Sequence, residues 1–311
     1  MTWKPTKKLF ALAMAVGLLA AACGDDDDTT TDTTEATEQT TEDTAAEFEA
    51  GTTMADIAEA GTITVGVKYD QPGFGLQNPT TSEVEGFDVE IARLIVEAIG
   101  EDVEIEFVES VSRNREPFLQ DGTVDLVIAT YTINDARKQV IDFAGPYFVA
   151  EQDIMVRADD ETIESVDDLN GKNVCTVTGS TSATNVAASA PQASVTLLDT
   201  YSQCAEAMTD GRVEAVTTDN TILAGLVQAS DGEYKLIEAP FSEEPYGIGL
   251  PKGDDDFRNF INDRLEEIFE SGEWAEAFES TLGAIGLDTP EPPEVDRYTE
   301  TPPAPTTTAA P

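Results

Sequence analysis

Along the middle of the chain, hydrophobic and polar positions fall into two recurring patterns: short apolar runs, and longer stretches with helical spacing. Residues 62–67, Thr-Ile-Thr-Val-Gly-Val, read as a strand. Residues 86–99 place Val89, Leu94, Ile95 and Ile99 at helical spacing, with acids in the first turn, and predict a helix. Residues 103–108 and 124–129 read as strands, 115–120 as a short helix, and 135–139 as the start of another. A second series follows, with strands over 172–177, 194–198 and 214–218 and helices over 181–190, 201–210 and 221–229. After Tyr246-Gly247-Ile248-Gly249-Leu250, two helices are predicted over 255–271 and 274–282. Alternation at this spacing predicts an α/β fold whose sheets are mostly parallel and covered on both faces. Two such series predict two lobes, with a ligand held at the carboxyl ends of the strands.

Both ends break the pattern. Lys4, Lys7 and Lys8 precede an apolar run over 9–19, then Ala20-Ala21-Ala22-Cys23. A basic start, a short apolar core and small residues make a secretory signal over 1–22, too short for a stable spanning helix. The cysteine directly after the small residues resembles a bacterial lipoprotein signal. That resemblance implies that Cys23 is lipidated, becomes the mature N-terminus and anchors the chain to the outer face of the cell membrane. Ala20 stands where such signals usually have leucine, and a plain signal with an incidental cysteine is the alternative. Residues 23–50 carry eleven acids and no base, too little apolar surface to offset the entropy of ordering, and read as a disordered, self-repelling tether. Residues 288–311, with seven prolines among Thr and Glu, also read as disordered.

Composition narrows the chemistry. The 311 residues include 62 acids, 17 bases and no histidine, for a formal charge of −45. That balance excludes the usual electrostatic route to nucleic acid and repels anionic lipid surfaces. Without histidine there is no Ser-His-Asp triad and no histidine zinc site. Residues 51–287 keep 46 acids against 13 bases, so the folded part is acidic in its own right. Cys175 and Cys204, in an exported chain, suggest a disulfide, with two buried free thiols as the alternative. Metal binding is disfavoured with two cysteines and no histidine, and no cofactor is implied.

Several stretches, taken in order, carry a resemblance. They are Gly86-Phe87-Asp88-Val89-Glu90-Ile91-Ala92; Thr132 through Arg137; Ile141-Asp142-Phe143 through Pro146-Tyr147; Asp167-Asp168-Leu169-Asn170-Gly171-Lys172; Thr178-Gly179-Ser180-Thr181-Ser182; Asp219; and Tyr246 through Lys252. As a set spanning residues 55–285, they resemble the polar amino acid class of periplasmic-type solute-binding proteins. The resemblance implies two α/β lobes joined by two hinge strands, 51–149 with 246–287 forming lobe 1 and 150–245 forming lobe 2. It further implies closure around one amino acid, delivery to the permease of an ABC importer, and action as a monomer.

The same resemblance gives roles to residues. Arg137, opening a helix beyond a strand end, holds the ligand α-carboxylate, a geometry suited to a bidentate guanidinium; its alternative role is a surface salt bridge. Thr130 and Thr132 add hydroxyls, while Asn134 stands where relatives carry Thr or Ser. The loop before residue 181, with Ser180 and Thr181, offers N–H groups and hydroxyls to an anion, or serves only as a helix cap. Asp219 accepts the ligand ammonium, caps the following helix, or does both. The stretch Ser112-Arg113-Asn114-Arg115-Glu116-Pro117-Phe118-Leu119 resembles glutamate- and aspartate-binding members, with Arg115 and Ser112 reaching the side-chain carboxylate. Lys68 corresponds to a position that is basic in those members. A buried dicarboxylate needs compensating charge, so these cations favour glutamate or aspartate over glutamine or another polar amino acid. Arg113 is a weaker candidate. In relatives from actinobacteria a matching cysteine pair supports the Cys175–Cys204 disulfide. An enzyme on the same fold, such as a dehydratase, is the competing reading, with no histidine available for acid–base work.

Overall fold

The structure, a computed structural model, describes residues 48–298. The signal, Cys23 and nearly all of the acidic tether lie outside them. The described chain begins with α1 (Thr53–Ala60), β1 (Thr62–Val67) and a small antiparallel sheet of β2 (Asp70–Gln71), β3 (Gly75–Gln77) and β4 (Val84–Glu85). Then come α2 (Phe87–Glu97), β5 (Glu104–Glu109), α3 (Arg115–Asp121), β6 (Leu126–Val127) and α4 (Asp135–Lys138). The long strands β7 (Asp142–Ala150) and β8 (Gln152–Arg157) lead to β9 (Asn173–Val177), α5 (Thr181–Ser189) and β10 (Ser194–Leu198). Next are α6 (Tyr201–Thr209), β11 (Ala215–Asp219), α7 (Asn220–Gln228) and β12 (Tyr234–Leu236). The chain returns through β13 (Glu244–Leu250) to α8 (Asp255–Ser271) and α9 (Glu273–Ser280).

Among the described residues two five-stranded sheets form, in the orders β5-β1-β6-β13-β7 and β10-β9-β11-β8-β12. They are the centres of lobe 1 and lobe 2. The expected parallel pairing holds for β5-β1-β6 and for β10-β9-β11. It fails at one strand in each sheet: β13 runs antiparallel to β6 and β7, and β8 runs antiparallel to β11 and β12. The cause is the crossing: β8 enters lobe 2 from lobe 1, β13 enters lobe 1 from lobe 2, and each arrives from the opposite end of its sheet.

The largest core cluster runs through both lobes. Lobe 1 packs Phe74, Phe87, Tyr246, Trp274 and Phe278 in a largely edge-to-face cluster, and the Trp274 indole donates to the Tyr147 carbonyl at 2.8 Å. Each such side chain contributes about 1.5–3 kcal/mol by burial. Gly86 makes this packing possible. A Cβ there would lie 2.3 Å from the Phe74 carbonyl at a φ of +134°, so α2 seats against the small sheet only with glycine before it. One core cluster of lobe 2 is aliphatic, built on Ile154, Val156, Leu169, Val174 and Val186. A disulfide between Cys175 and Cys204 fastens β9 to α6.

Residues 288–298 depart from the disordered reading. They form no helix or strand but lie on lobe 1. The Asp296 N–H donates to the Gly145 carbonyl at 2.9 Å, and the Tyr298 hydroxyl receives the Phe143 N–H at 2.8 Å and donates to Asp142 at 3.1 Å. Lys138 and Arg258 lie over the Tyr298 ring. Proline content predicted the missing secondary structure, but it carried no information about these anchors.

Candidate functional site

The strand ends of lobe 1 gather three cations. Lys68 follows β1, is buried, and donates to the Ser112 hydroxyl at 2.9 Å. Burial, and then the Arg115 charge, bring its ammonium down to about 7. Arg115 opens α3 and donates to the carbonyls of Ser112, Ala129 and Thr130 at 3.1–3.3 Å. Burial and the neighbouring Arg137 lower it to about 10. Arg137 donates to the Thr132 carbonyl at 2.6 Å and to Glu116 at 3.1 Å. Both guanidiniums lie over the Tyr131 ring, 4.3 and 4.8 Å from its centre. Backbone carbonyls aim both arginines; Arg137 is also paired with Glu116, whereas Arg115 forms no ion pair among the described residues.

Two supports explain that aim. Asn134 is the N-cap of α4, its side chain accepting the Arg137 N–H at 2.9 Å, so its role is local. Thr130 sits at φ +45°, held by a 2.9 Å bond from its N–H to the buried Asp88 carboxylate. Asp88 also receives the Tyr147 hydroxyl at 2.5 Å, and burial raises its carboxyl to about 7. The aspartate of the Gly86-Phe87-Asp88 stretch therefore fixes the strand end whose carbonyls hold Arg115.

Lobe 2 contributes hydroxyls and one carboxylate. Ser180 caps α5, accepting the Ala183 N–H at 3.1 Å and donating to the Val177 carbonyl at 2.8 Å, so its hydroxyl serves the helix. Thr181 lies 3.3 Å from Thr132, oxygen to oxygen, across the lobes. Asp219 ends β11. It occupies the N-cap position of α7 but makes no side-chain cap bond. Instead one oxygen receives the Tyr246 hydroxyl at 2.5 Å and the other has no partner. Burial, and then the charge of Glu244, raise its carboxyl to about 7.

The walls meet closely. Ser112, Arg115, Thr130 and Thr132 from lobe 1 and Ser180, Thr181 and Asp219 from lobe 2 line one cavity of about 10 Å³. Lys68 and Arg137 do not line it; Lys68 reaches the lining through Ser112 and Arg137 through the Thr132 carbonyl. The Gly179 carbonyl of lobe 2 accepts from both Arg137, at 3.1 Å, and Arg115, at 3.5 Å. Gly179, at φ +82°, packs so tightly on Arg113 that a Cβ would lie 2.8 Å from its backbone. Arg113 itself is half exposed and pairs with Asp199 across the lobes. A larger groove of about 600 Å³ beside Tyr69, Glu85, Glu90 and Arg93 holds none of these residues. Convergence of polar groups, and not volume, marks the site. Sequence reasoning missed Ser182, Tyr201, Thr218 and Ile222, which also line the cavity. Thr218 and Tyr201 had a legible signal, since both lie at ends of predicted elements beside assigned residues.

Residues 63–284 match the profile of the bacterial extracellular solute-binding proteins, family 3. The chain belongs to that family. Among its relatives, the glutamate-binding protein GluB of Corynebacterium efficiens is 40% identical over 246 residues, covering 76% of this chain and 83% of the relative. The ABC transporter glutamine-binding protein GlnH of Bacillus subtilis is 37% identical, over 89% of this chain and 97% of that protein. Among solved structures, an ancestral arginine-binding protein bound to glutamine aligns with a TM-score of 0.68 at 36% identity, over 72% of this chain and 98% of that one. This family member is therefore an amino-acid-binding protein with a two-lobed α/β fold.

Proposed function

We propose that this chain captures an acidic amino acid, glutamate or aspartate, by lobe closure, and delivers it unchanged to the permease of an ABC importer. The observation that supports the acidic reading is the convergence of Lys68, Ser112 and Arg115 beside Arg137, with the Arg115 guanidinium held by backbone carbonyls and not by a carboxylate. Arg137, with Thr132 and the loop at Ser180 and Thr181, takes the α-carboxylate. Asp219 takes the ammonium, with Thr130 beside it. Arg115, Ser112 and Lys68 take the side-chain carboxylate, which supplies the charge these buried cations lack.

A cavity of about 10 Å³ is smaller than any amino acid, so the lobes part to admit the ligand. Gly179 then gives up its bonds to Arg115 and Arg137, and the ligand carboxylates take its place. Closure completes the shell and presents a different surface to the permease. By this account the protein acts as a lipid-anchored monomer, tethered through Cys23, and performs no chemistry on its cargo.

Glutamine is the second reading, favoured by the relative named for it, which this chain covers over 97% of its length. Calorimetry of the purified protein with L-glutamate, L-aspartate and L-glutamine separates the two. Stoichiometric binding of either acid, tighter than glutamine, is the expected result. Tighter binding of glutamine would replace the acidic reading with the neutral one.

A further inference from the structure

Asp219 is not the only buried acid of its subsite with an unused oxygen. Glu244 opens β13 opposite Ala150, where the chain crosses back to lobe 1, and is 2% exposed. One of its carboxylate oxygens accepts from the Asn185 amide at 2.8 Å and from the Ser242 hydroxyl at 2.7 Å; the other has no partner. Two residues along the same face of the strand, Tyr246 donates to Asp219. Asn185 also donates to Gln152 at 2.9 Å, and Gln152 pairs with Asp219 across the β8–β11 ladder and donates to the Ser182 carbonyl. Glu244 therefore belongs to the polar network behind the lobe 2 wall.

Among the described residues, no lysine or arginine forms an ion pair with Glu244 or Asp219. Two buried carboxylates with unpartnered oxygens and mutual repulsion are costly unless a cation completes them. We propose that Glu244 is a positioning residue of the ammonium subsite, a second carboxylate that acts through Asp219 to favour ligands carrying an α-ammonium. This rests on the reading of Asp219 as the ammonium acceptor.

The groups facing Asp219 are Glu244 and Tyr246 from β13, Tyr201 from α6, and the more distant Arg115 and Arg137 of lobe 1. Glu244 pushes its carboxyl up, whereas the two arginines and the Tyr246 hydroxyl pull it down. A proton on Asp219 competes with the ammonium, so affinity falls as pH drops below about 7. Removing the Glu244 charge moves that break to lower pH.

The test is Glu244→Gln, which keeps the acceptor for Asn185 and Ser242, measured by calorimetry between pH 5 and 9. The probes are L-glutamate, L-glutamine and glutarate, a dicarboxylate without the ammonium. At pH 8 the variant should bind whichever amino acids the wild type binds roughly tenfold more weakly, the size of a one-unit electrostatic change, and leave glutarate unaffected. Its acid-side break should lie at lower pH than that of the wild type. In an Asp219→Asn background, Glu244→Gln should add no further loss. Equal weakening of all three probes, or an unmoved break, would assign Glu244 a purely structural role and overturn the proposal. If glutarate binds neither protein, the pH break alone decides. Wild type that binds neither amino acid would overturn the functional reading itself, a result visible before any variant is made.

Discussion

The lobe 1 wall carries three buried cations and the lobe 2 wall a buried carboxylate, and the two are supported by different means. Lobe 1 aims Arg115 and Arg137 with backbone carbonyls at strand ends, themselves fixed by Asp88 and an aromatic core. Such donors stay charged and pre-organised. In lobe 2, Asp219 receives a hydroxyl from Tyr246 of the returning strand and lies beside a second acid, Glu244, with no ion pair among the described residues. On the proposed reading, a zwitterion with an extra carboxylate complements both walls at once. On that reading recognition and closure are the same event.

The comparison breaks most severely at Arg137. Arg137→Ala should weaken every amino acid ligand on the order of a hundredfold or more by calorimetry, because a buried charge loses its partner. Retained binding would remove Arg137 from the carboxylate role. Next in size is the disulfide that fastens β9 to α6 in lobe 2. Replacing Cys175 and Cys204 by serine should cost about 3 kcal/mol, a drop of roughly 6–12 °C in melting temperature. Hydrogen exchange should locate the loosening in β9 and α6. Loosening spread evenly through lobe 1 would contradict the idea that the disulfide supports lobe 2 in particular.

The pH dependence sharpens the same contrast. Lys68 stands near 7, among Arg115, Arg137, Asp70 and Asp88, and must be charged to hold a side-chain carboxylate. Acidic ligands should therefore weaken as pH rises above about 7, up to tenfold per unit. Asp219 must be charged to hold the ammonium, so all amino acids weaken as pH falls below about 7. Calorimetry across pH should give two limbs for glutamate and only the acid limb for glutamine. An alkaline limb shared by both would sever Lys68 from specificity. The smallest effect belongs to the exposed pair of Arg113 and Asp199. Arg113→Ala should change glutamate affinity by less than about fivefold, as solvent-exposed pairs do.

Much of the architecture was legible because its signals are local. The helix after Gly86 shows its period, and the first-turn acids mark its start. The crossover strands were harder. β7 is buried on both faces and carries Gly145-Pro146 in mid-strand, so neither alternation nor β propensity marks it. The motifs point to Arg137, Arg115, Lys68 and Asp219 as candidates. The surrounding contacts carry no such signal: Gly179 and Asp88 reach Arg115, Arg137 and Thr130 across 42 to 64 residues, and Glu244 joins the network from another strand through Asn185. Residues 288–298 differ from the disordered expectation because Arg297 and Tyr298 anchor them singly in a proline-rich segment, while 299–311 lie outside the described residues.

Acidic specificity rests on Arg115, with Lys68 and Ser112, recognising a side-chain carboxylate. The direct measurement is the ratio of the L-glutamine to L-glutamate dissociation constants in the wild type and in Arg115→Ala. The account predicts a ratio well above one in the wild type that falls by roughly thirtyfold in the variant, with glutamine binding little changed. A ratio that stays the same in Arg115→Ala, with both ligands weakened equally, would contradict it.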